Sequence, residues 1–531
     1  MTGAMTGDAT AAALAAGGPG PGAVTVPMID RAATNPDGIA IDSDAHGSVT
    51  WRQATDVVLR LAERIRTFDL GDDRRVMVVA RNRPSTVVAH AAALLGQVAA
   101  VPVNFHLTAG EIAYQVQESK AGLMFVDSAT EDAVADATAG SAVTVVRLPD
   151  DGAIGPELAA FIGGAPPVQL ADDQPVRPSL LFTSGTTGRP KAVQLPPKTI
   201  GDTPDLAGLR TLITTQRMAR YGTHLVVGPL YHNGPLTAVR LFLAGVPLVV
   251  HASFDAAAML AAIEAQRIES SVMVPTHFVR CLALPVEVRE RFDVSSLRCV
   301  VHTGGACPVD VKQQMLAWWG LVLYESYGGT ESGSTCSIGP EDWLAHPGSV
   351  GRAVPPFEAL VVDDDGRPLP ANTEGRLYFR DLTGRGIRFE GDEAKTAEAH
   401  IAPGVFTLGE IGRIDDDGFV YITDRFNDMV VSGGVNIYPA EAEQALMLHA
   451  AVADVACIGL PDAEMGERLA AVVQLQPGTE ADAAALGDWC RERLAGYKRP
   501  RDYFFVDSLP RNAMGKLDKK ALRATYRAAG G

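Results

Sequence analysis

The chain has 531 residues, 47% of them hydrophobic, so it can bury large cores, and its length alone suggests about two to four domains. A net charge of −17 and a pI near 5.1 exclude the basic surface of a nucleic-acid-binding protein. The six cysteines form no C-x-x-C pair, which indicates free thiols in a reducing, cytoplasmic setting and argues against a zinc site.

The N-terminal region and the distribution of apolar residues argue against a membrane protein. No run of 18 uncharged apolar residues is present, so no membrane partner is expected. Residues 1–26 are rich in Ala, Gly and Thr and carry no positive charge, unlike a signal peptide. We therefore expect a disordered tail over residues 1–26. A monomer and a homodimer are both compatible with the sequence.

Predicted strands and helices alternate from Ile39 to Leu148 and again from Leu225 to Trp319. This order is typical of parallel α/β layers. The predicted strands are residues 75–80, 123–126, 225–227, 248–250, 272–274 and 300–302, and the predicted helices are residues 50–68, 259–268 and 309–319.

A loop rich in hydroxyl groups and glycine follows the apolar strand Leu180–Phe182. Residues 183–191 read T-S-G-T-T-G-R-P-K, with four hydroxyls and two glycines in the first six positions. Such a backbone can approach a ligand closely, and its N–H groups and hydroxyls can surround a phosphate chain beside the charge of Lys191. The loop is not a Walker A motif, because Pro190 and Ala192 stand where that pattern needs Gly and Ser or Thr.

Three further motifs follow predicted strands. Residues 231–234 read Y-H-N-G, and a histidine at a strand end can line a pocket or satisfy a core hydrogen bond. Residues 302–306 read H-T-G-G-A, and their small side chains would let a flat ring lie against the backbone. Residues 324–331 read Y-E-S-Y-G-G-T-E and end in Glu331, a carboxylate of the kind that Mg²⁺ prefers.

Between Ala359 and Ile422 the pattern changes to short strands, at 360–362, 377–379 and 420–422, separated by Gly and Asp turns. This indicates an antiparallel, barrel-like region. The D-D-D-G segments at 363–366 and 415–418 lack the ligand spacing of an EF-hand and predict hairpin turns. The sequence of residues 425–531 predicts a small α+β domain, with a helix that begins near Pro439 and strands at 455–458 and 471–474.

Taken together, these motifs resemble those of the adenylate-forming superfamily, which includes acyl-CoA synthetases, peptide-synthetase adenylation domains and beetle luciferases. The loop at 183–191 resembles its signature T-S-G-T-T-G-x-P-K, and residues 324–331 resemble its Y-G-x-T-E. Residues 424–441 resemble its hinge motif, and residues 509–517, L-P-R-N-A-M-G-K-L, resemble its C-terminal P-R-x-x-x-G-K. The resemblance covers residues 25–525.

The resemblance implies an α/β fold with a large N-terminal region of two α/β subdomains plus a small β-barrel, followed by a small, mobile α+β domain. The implied boundaries are 27–424 for the N-terminal adenylate-forming domain, with the barrel from about 350 to 424, and 425–531 for the mobile lid.

Enzymes of the superfamily activate a carboxylate with ATP as an acyl-adenylate. The resemblance therefore implies an acid–thiol ligase that uses ATP, CoA and Mg²⁺ and acts on a small-molecule carboxylic acid. The implied catalytic residues are Lys516, Thr330 and His232, and Glu331 would hold Mg²⁺. The implied ATP- and AMP-binding residues are Thr183, Ser184, Gly185, Thr186, Thr187, Gly188, Lys191, Gly304, Gly305, Ala306, Glu325, Ser326, Tyr327, Gly328, Gly329, Thr330, Glu410 and Arg425.

The remaining implied sites concern the acid, CoA and the hinge. The P-L-Y-H at 229–232 resembles the branch that acts on bulky, bile-acid or steroid-like acids, which suggests a role in lipid degradation or secondary metabolism. Asn427 stands at the hinge position. The implied acyl pocket is His232, Asn233, Thr303, Gly304 and Gly328, and the implied CoA tunnel is Ser432, Gly433 and Gly434.

Three positions depart from the superfamily pattern. Glu410 replaces the ribose-binding Asp of T-G-D, Asn427 replaces the usual Asp or Lys, and Ala192 replaces a common Gly. These changes leave open an enzyme that performs only the thioester-forming half-reaction from a preformed acyl-adenylate. An amine or a carrier protein also remains open as acceptor. A nucleotide-binding regulatory protein without turnover is a further alternative, against which Lys516 argues.

Overall fold

The computed structural model describes residues 24–183, 191–196, 203–425, 428–432, 435–462, 465–511 and 517–527. These residues form two compact units. The first contains the chain up to Phe182, Ala192–Glu325 and Thr330–Gly333. The second contains Thr183–Lys191, Ser326–Gly329 and the chain from Ser334 onward.

Strands and helices alternate through the first part of the chain. In order they are α1 (Pro27–Thr34), β1 (Ile39–Ser43), β2 (Val49–Thr50), α2 (Trp51–Thr67), β3 (Arg75–Val79), α3 (Pro84–Leu95), β4 (Ala99–Pro102), α4 (Ala109–Ser119), β5 (Leu123–Val126), α5 (Glu131–Thr138), β6 (Thr144–Arg147), α6 (Pro156–Ile162), β7 (Leu180–Thr183), β8 (Lys191–Gln194), α7 (Leu206–Thr215), β9 (His224–Val226), α8 (Asn233–Leu243), β10 (Leu248–Val250), α9 (Ala256–Ala265), β11 (Ser270–Met273), α10 (Pro275–Leu282), α11 (Val286–Arg289), β12 (Cys299–His302), α12 (Val309–Trp319) and β13 (Leu323–Gly329).

Short antiparallel strands dominate the rest of the chain. In order the elements are β14 (Gly333–Ile338), α13 (Pro340–Ala345), β15 (Ser349–Ala353), β16 (Phe357–Val362), β17 (Gly375–Asp381), α14 (Glu393–Glu398), β18 (His400–Ala402), β19 (Val405–Phe406), β20 (Glu410–Ile414), β21 (Val420–Arg425), β22 (Val430–Ser432), β23 (Val435–Ile437), α15 (Pro439–Met447), β24 (Val452–Asp462), β25 (Gly466–Leu475), α16 (Ala483–Arg493), β26 (Asp502–Val506) and α17 (Lys519–Arg527).

The first unit contains two parallel sheets. One has the order β4-β3-β5-β6. In the other, β12, β11, β9, β10 and β1 pair in parallel, β2 is antiparallel to β1, and Leu323–Glu325 of β13 pairs in parallel with β12. Most of their strands are buried apolar runs, as expected when helices cover both faces of a parallel sheet, and the edge strand β6 is more exposed.

Helix α3 is the centre of the core of the first unit. Every residue from Pro84 to Leu95 is buried, and the alanine-rich sequence lets helices α2 and α8 pack closely against it. Helix α2 begins with a capping box between Thr50 and Gln53, which satisfies backbone N–H groups at its start. Trp51 in α2 stacks on Phe242 in α8 with ring centroids 5.6 Å apart, which joins the two helices.

The second unit is built from antiparallel pairs. Strands β14, β15, β21, β20 and β17 are successive neighbours, and β16 and β19 both pair with β17. The carboxylate of Asp363 accepts hydrogen bonds from the N–H groups of Asp365 and Arg367, and Asp415 does the same for Asp417 and Phe419. Both D-D-D-G segments are therefore turns, as the sequence predicts.

The C-terminal part of the second unit has its own sheet. In this sheet β22 and β24 are each antiparallel to β25, and β26 lies parallel to β25. Helices α15 and α16 cover one face of this sheet around Leu446, Val473 and Leu486. Helix α17 packs against β24 on another core that contains Ile458 and Leu522.

The predicted strand–helix order is present, but several element ends differ. The helix predicted at 259–268 is α9, which begins three residues earlier because Asp255 caps it by accepting a hydrogen bond from Ala258 N at 2.8 Å. It ends before Arg267, whose φ of 50° is incompatible with a helix. Of the predicted tail, residues 1–23 lie outside the described chain, whereas Val26 is fully buried.

Buried histidines predict a pH-dependent stability. Burial lowers the pKa of His90, His224 and His277 to about 4, about 3 and about 4, so they are neutral in the folded protein near pH 6. Unfolded histidine has a pKa of about 6.5, so the unfolded chain binds more protons and stability falls as pH decreases from about 6.5 toward 4. Each group contributes at most about 1.4 kcal/mol per pH unit.

We expect the substitution His90→Gln to reduce this slope by up to about 1.4 kcal/mol per pH unit, because one proton uptake on unfolding is removed. The free energy of urea-induced unfolding, measured between pH 4.5 and 7, tests this. Equal slopes in the two proteins would contradict a neutral His90.

Candidate active site

Several residues that the sequence assigns to the site lie outside the described chain. They are Ser184, Gly185, Thr186, Thr187 and Gly188 of the loop, Asn427, Gly433, Gly434 and Lys516. Their roles, and that of the Arg425 side chain, stay predictions.

The two ends of the hydroxyl-rich loop belong to paired strands. Strand β7 ends at Thr183 and β8 begins at Lys191, and the two form a two-stranded sheet. The ammonium group of Lys191 forms an ion pair with the carboxylate of Asp392. Asp392 also caps α14 by accepting a hydrogen bond from Lys395 N at 2.9 Å. The carboxylate of Asp392 therefore both caps α14 and pairs with Lys191, the lysine predicted to bind phosphate.

The predicted acyl-pocket residues of the first unit lie close together. His232 is the residue before α8, and its ring lies 4.4 Å from that of Tyr231, centroid to centroid. A Cβ atom at Gly234 would lie 3.3 Å from Cγ2 of Thr303 and 3.2 Å from Cγ1 of Val272, so the start of α8 approaches the ends of β11 and β12 very closely. The structure thus brings the 232–234 segment next to Thr303.

Asn82, which the sequence analysis did not identify, holds the segment before His232. Its buried side chain donates to the carbonyl oxygens of Gly228, at 2.9 Å, and His251, at 3.1 Å, and accepts from Leu230 N at 2.9 Å. One side chain that follows β3 therefore fixes the turn after β9 and the end of β10. No local pattern in the sequence indicates this role, because Asn82 and Gly228 are 146 positions apart.

The segment predicted to lie against adenine is an open turn after β12. Gly304 has a φ of 82°, which favours glycine, and no atom lies within 4 Å of a Cβ placed at Gly305. Gly304, Gly305 and Ala306 are all exposed. Their backbone therefore presents a face without side-chain bulk, which suits a planar ligand.

Glu325 directs its carboxylate into the protein. Its Oε2 atom lies 2.6 Å from the Nζ atom of Lys312 in α12 and 3.4 Å from Nε2 of His302. All three side chains are buried. Burial raises the pKa of Glu325 and lowers the pKa of Lys312. Burial, together with the nearby charge of Lys312, lowers the pKa of His302 well below its usual value, so His302 is neutral.

Residues that follow Glu325 continue β13 and then turn. In the second unit the Tyr327 ring lies 6.1 Å from that of Phe379, and the Tyr327 carbonyl accepts a hydrogen bond from Thr335 Oγ1 at 3.3 Å. Ser326 Oγ lies 2.6 Å from Ser334 Oγ. Thr330 and Glu331 occupy the turn between β13 and β14, and both are partly exposed.

Glu410, which stands where the superfamily pattern has an aspartate, lies in the second unit. Glu410 is the first residue of β20 and is 8% exposed. It stands directly opposite Arg425 in the antiparallel register of β20 and β21. The structure thus brings together the backbones of two residues that the sequence assigns to the nucleotide.

A cluster of charges follows the predicted hinge. Lys519 in α17 lies 2.8 Å from Glu443 in α15 and 3.9 Å from Asp428, and Arg523 donates to Asp428 at 2.7 Å. Burial raises the pKa of Glu443, while neighbouring carboxylates raise the pKa of Lys519 against the effect of its own burial. Asp424, which precedes residues 426–427, accepts a hydrogen bond at 3.0 Å from the backbone N–H of Ala440, which follows them.

The described ranges contain neither a cluster of metal ligands nor a membrane-spanning helix. No group of three or more His, Cys, Asp or Glu residues in those ranges has an arrangement that could hold a metal ion. None of the helices in the described ranges combines the length and apolarity needed to cross a bilayer.

Comparison with known proteins identifies the family. The family model of AMP-binding enzymes matches residues 29–383, and the model of their C-terminal domain matches residues 441–516. The chain therefore belongs to the AMP-binding enzymes of the adenylate-forming superfamily. This confirms the family that the sequence motifs indicate, and it makes the protein an AMP-dependent ligase.

Its curated relatives join carboxylic acids to CoA. The 2-succinylbenzoate–CoA ligase of Bacillus velezensis is 32% identical, over 93% of this chain and 96% of the relative. A feruloyl-CoA synthase of Amycolatopsis sp. is 31% identical, over 94% and 98%. A Mycobacterium tuberculosis ligase that forms a methyl-dioxo-octahydroindenyl propanoyl-CoA is 34% identical, over 85% and 88%.

Solved structures confirm the predicted fold class. ATP-bound MatB from Rhodopseudomonas palustris superposes with a TM-score of 0.76 at 28% identity, covering 94% of this chain and 97% of that one. An o-succinylbenzoate–CoA synthetase from Bacillus subtilis, in complex with its acyl-adenylate, gives 0.72 at 26% identity over 94% and 98%. The fold is therefore mixed α/β with a large N-terminal region and a smaller C-terminal domain.

The charge cluster at Lys519 should be important for stability. We expect Lys519→Met to lower the unfolding free energy by about 1–3 kcal/mol, because the mostly buried Glu443 carboxylate loses its ammonium partner and keeps the hydrogen bond from Cys457 N. The double variant Lys519→Met/Glu443→Gln should recover much of this loss, because no carboxylate is left unpaired.

Denaturant unfolding, with hydrogen exchange of α15 and α17 as a local probe, measures the effect. Lys520→Met, at an exposed position of the same helix, is the control and should change stability by less than about 0.5 kcal/mol. Equal losses for Lys519→Met and Lys520→Met would contradict the assignment.

Proposed function

We propose that the protein is an acyl-CoA synthetase that converts a carboxylic acid, ATP and CoA into acyl-CoA, AMP and pyrophosphate through an acyl-adenylate. The observation that carries the proposal is the match to CoA ligases over more than nine-tenths of both chains, as for the relatives from Bacillus velezensis and Amycolatopsis. Both family domains are present in one chain. Residues 425–531 are the proposed mobile lid.

In the first half-reaction the carboxylate of the acid attacks the α-phosphorus of ATP, and the bond to the pyrophosphate leaving group breaks. Catalysis of such a step consists largely of positioning and charge stabilisation. Lys516 stabilises the charge shared by the carboxylate and the α-phosphate. Lys191 and the loop before it bind the distal phosphates, in which case the triphosphate competes with Asp392 for the Lys191 ammonium group.

Mg²⁺ fits the proposed reaction. At phosphate sites this ion is usually bound by one or two carboxylates together with phosphate oxygens. Glu331 lies in a partly exposed turn directly after Thr330, so a single carboxylate is available there for a nucleotide-bound ion. When bound, the ion would neutralise charge on the phosphate oxygens. Thr330 would donate a hydrogen bond to the α-phosphate.

In the second half-reaction the CoA thiol attacks the carbonyl carbon of the acyl-adenylate, and AMP leaves. Lys516 must first withdraw, and rotation of residues 425–531 near Asn427 would remove it and expose the thiol path at Ser432, Gly433 and Gly434. Ser432 is the last residue of β22 and pairs with Val435 in β23, so it lies at the tip of a hairpin.

The acid is bulky and apolar in this proposal. The P-L-Y-H sequence at 229–232 supports it, as does the relative from Mycobacterium tuberculosis, whose acyl group carries a fused bicyclic ring. A place in lipid degradation or secondary metabolism would follow. The buried free cysteines are consistent with a cytoplasmic enzyme.

A paired assay on purified protein with Mg²⁺ tests the function. One arm contains ATP, CoA and a panel of fatty, aryl and polycyclic acids, and the other contains CoA and the matching synthetic acyl-adenylates. We expect thioester in both arms, detected by mass, and pyrophosphate in the first. Thioester from the adenylates alone would instead establish the half-reaction enzyme. Replacing CoA by amines, or omitting it, distinguishes an amide synthetase, and ATP binding without pyrophosphate release would indicate a regulatory protein.

Lys516 should act in only one half-reaction. We expect Lys516→Ala to lower acid-dependent pyrophosphate release at least about a hundredfold, because a charge at the reacting phosphate is lost. Thioester formation from a supplied acyl-adenylate should be largely unchanged. Lys520→Ala removes a nearby exposed charge and serves as the control. Equal loss in both half-reactions of a folded Lys516→Ala protein would show that the proposed role is wrong.

A further inference from the structure

A buried ion pair links the helix that follows the 304–306 turn to strand β13. Lys312 Nζ and Glu325 Oε2 are 2.6 Å apart, and the Lys312 side chain has no exposed surface. The same Glu325 oxygen lies 3.4 Å from Nε2 of His302, whose ring packs edge-on against Phe278. A buried salt bridge contributes little to stability once the desolvation of both charges is counted. Its presence therefore calls for another explanation.

The position of Lys312 in its helix is unfavourable in itself. It is the fourth residue of α12 (Val309–Trp319), near the positive end of the helix dipole, where carboxylates are preferred and ammonium groups are disfavoured. Glu325 compensates this repulsion as well as the desolvation of the ammonium group. A methionine of similar length would fill the same space without either penalty.

The ion pair joins two segments that end at the predicted nucleotide site. His302 and Glu325 are direct partners in the parallel register of β12 and β13. The exposed turn 304–306 begins two residues after His302. Lys312, the fourth residue of the helix that follows this turn, pairs with Glu325, the third residue of β13. The turn thus connects β12 to α12, and the Lys312–Glu325 pair joins the start of α12 to the neighbouring strand β13.

We propose that Lys312 is a positioning residue for the nucleotide: by pairing with Glu325 it fixes the segment that follows the 304–306 turn relative to β13 and so sets the affinity for adenine without touching the ligand. In this view Glu325 acts through Lys312 and does not bind the base with its carboxylate. The inference depends on the proposed function only for the identity of the nucleotide.

The test compares nucleotide affinity with stability. In Lys312→Met the link is lost, and we expect the Kd for AMP, measured by calorimetry, to rise about tenfold or more, since small displacements of a binding segment have effects of this size. The KM for ATP should rise in parallel, with a smaller change in kcat and in the KM for the acid. The preference for AMP over GMP in the same titrations should decrease.

Two further variants separate positioning from stability alone. Met315→Ala removes a fully buried side chain from the same helix without removing a charge; it should lower the Tm but leave the Kd for AMP unchanged. Lys312→Met/Glu325→Gln leaves no unpaired charge, so the Tm should recover relative to Lys312→Met while the affinity for AMP stays low.

Recovery of both the Tm and the AMP affinity in the double variant would overturn the inference, as would a loss of affinity in Met315→Ala equal to that in Lys312→Met. A wild-type protein that binds AMP but forms no acyl product would refute the proposed function and leave this comparison intact. A wild-type protein that binds no AMP would refute both.

Discussion

Parallel pairing in the first unit is the constraint on which the site depends. Strands β9, β11, β12 and the start of β13 run in one direction, so their carboxyl ends lie at one edge of the sheet. In open α/β sheets, ligands bind outside this edge. The segments that leave it carry His232, Thr303 and the 304–306 turn. Gly234 permits close packing there, because a Cβ at this position would lie only 3.2 Å from Val272 and 3.3 Å from Thr303.

Buried charges lie at strands of both parallel sheets of the first unit, and each is compensated in its own way. Asp127 is fully buried and lies within about 3 Å of both Arg81 and Arg83, whose charges and hydrogen bonds lower its pKa despite the opposing effect of burial. Lys312 and Glu325 form the corresponding pair beside the 304–306 turn. In each case the groups join segments that are distant in the chain or that leave different strands. Their contribution is better understood as fixing positions than as net stabilisation.

Sequence patterns predicted the family, the strand–helix alternation and the antiparallel region because these features are local. Apolar runs, the D-D-D-G turns and the motif at 324–331 can all be recognised without knowledge of distant contacts. Asn82 could not be found in this way, since its partners Gly228 and His251 lie on other strands. Asp392 was missed for the same reason, because nothing in its own segment connects it to Lys191. The ends of elements shifted where a cap such as Asp255 starts a helix earlier than its apolar pattern does.

The charges around residues 426–427 limit how a lid could move. Asp428, Glu443, Lys519 and Arg523 all follow the predicted hinge residue, so a rotation there would carry this cluster as one body. The hydrogen bond from Ala440 N to Asp424 is different, because its two partners lie on opposite sides of the hinge. A rotation of the kind proposed must break or rearrange this contact while it leaves the cluster intact. A hydrogen bond of this kind contributes about 1 kcal/mol, or somewhat more because its acceptor is charged. Among these contacts, the Ala440–Asp424 hydrogen bond crosses the predicted hinge, whereas the pairs Lys519–Glu443 and Arg523–Asp428 lie on one side of it.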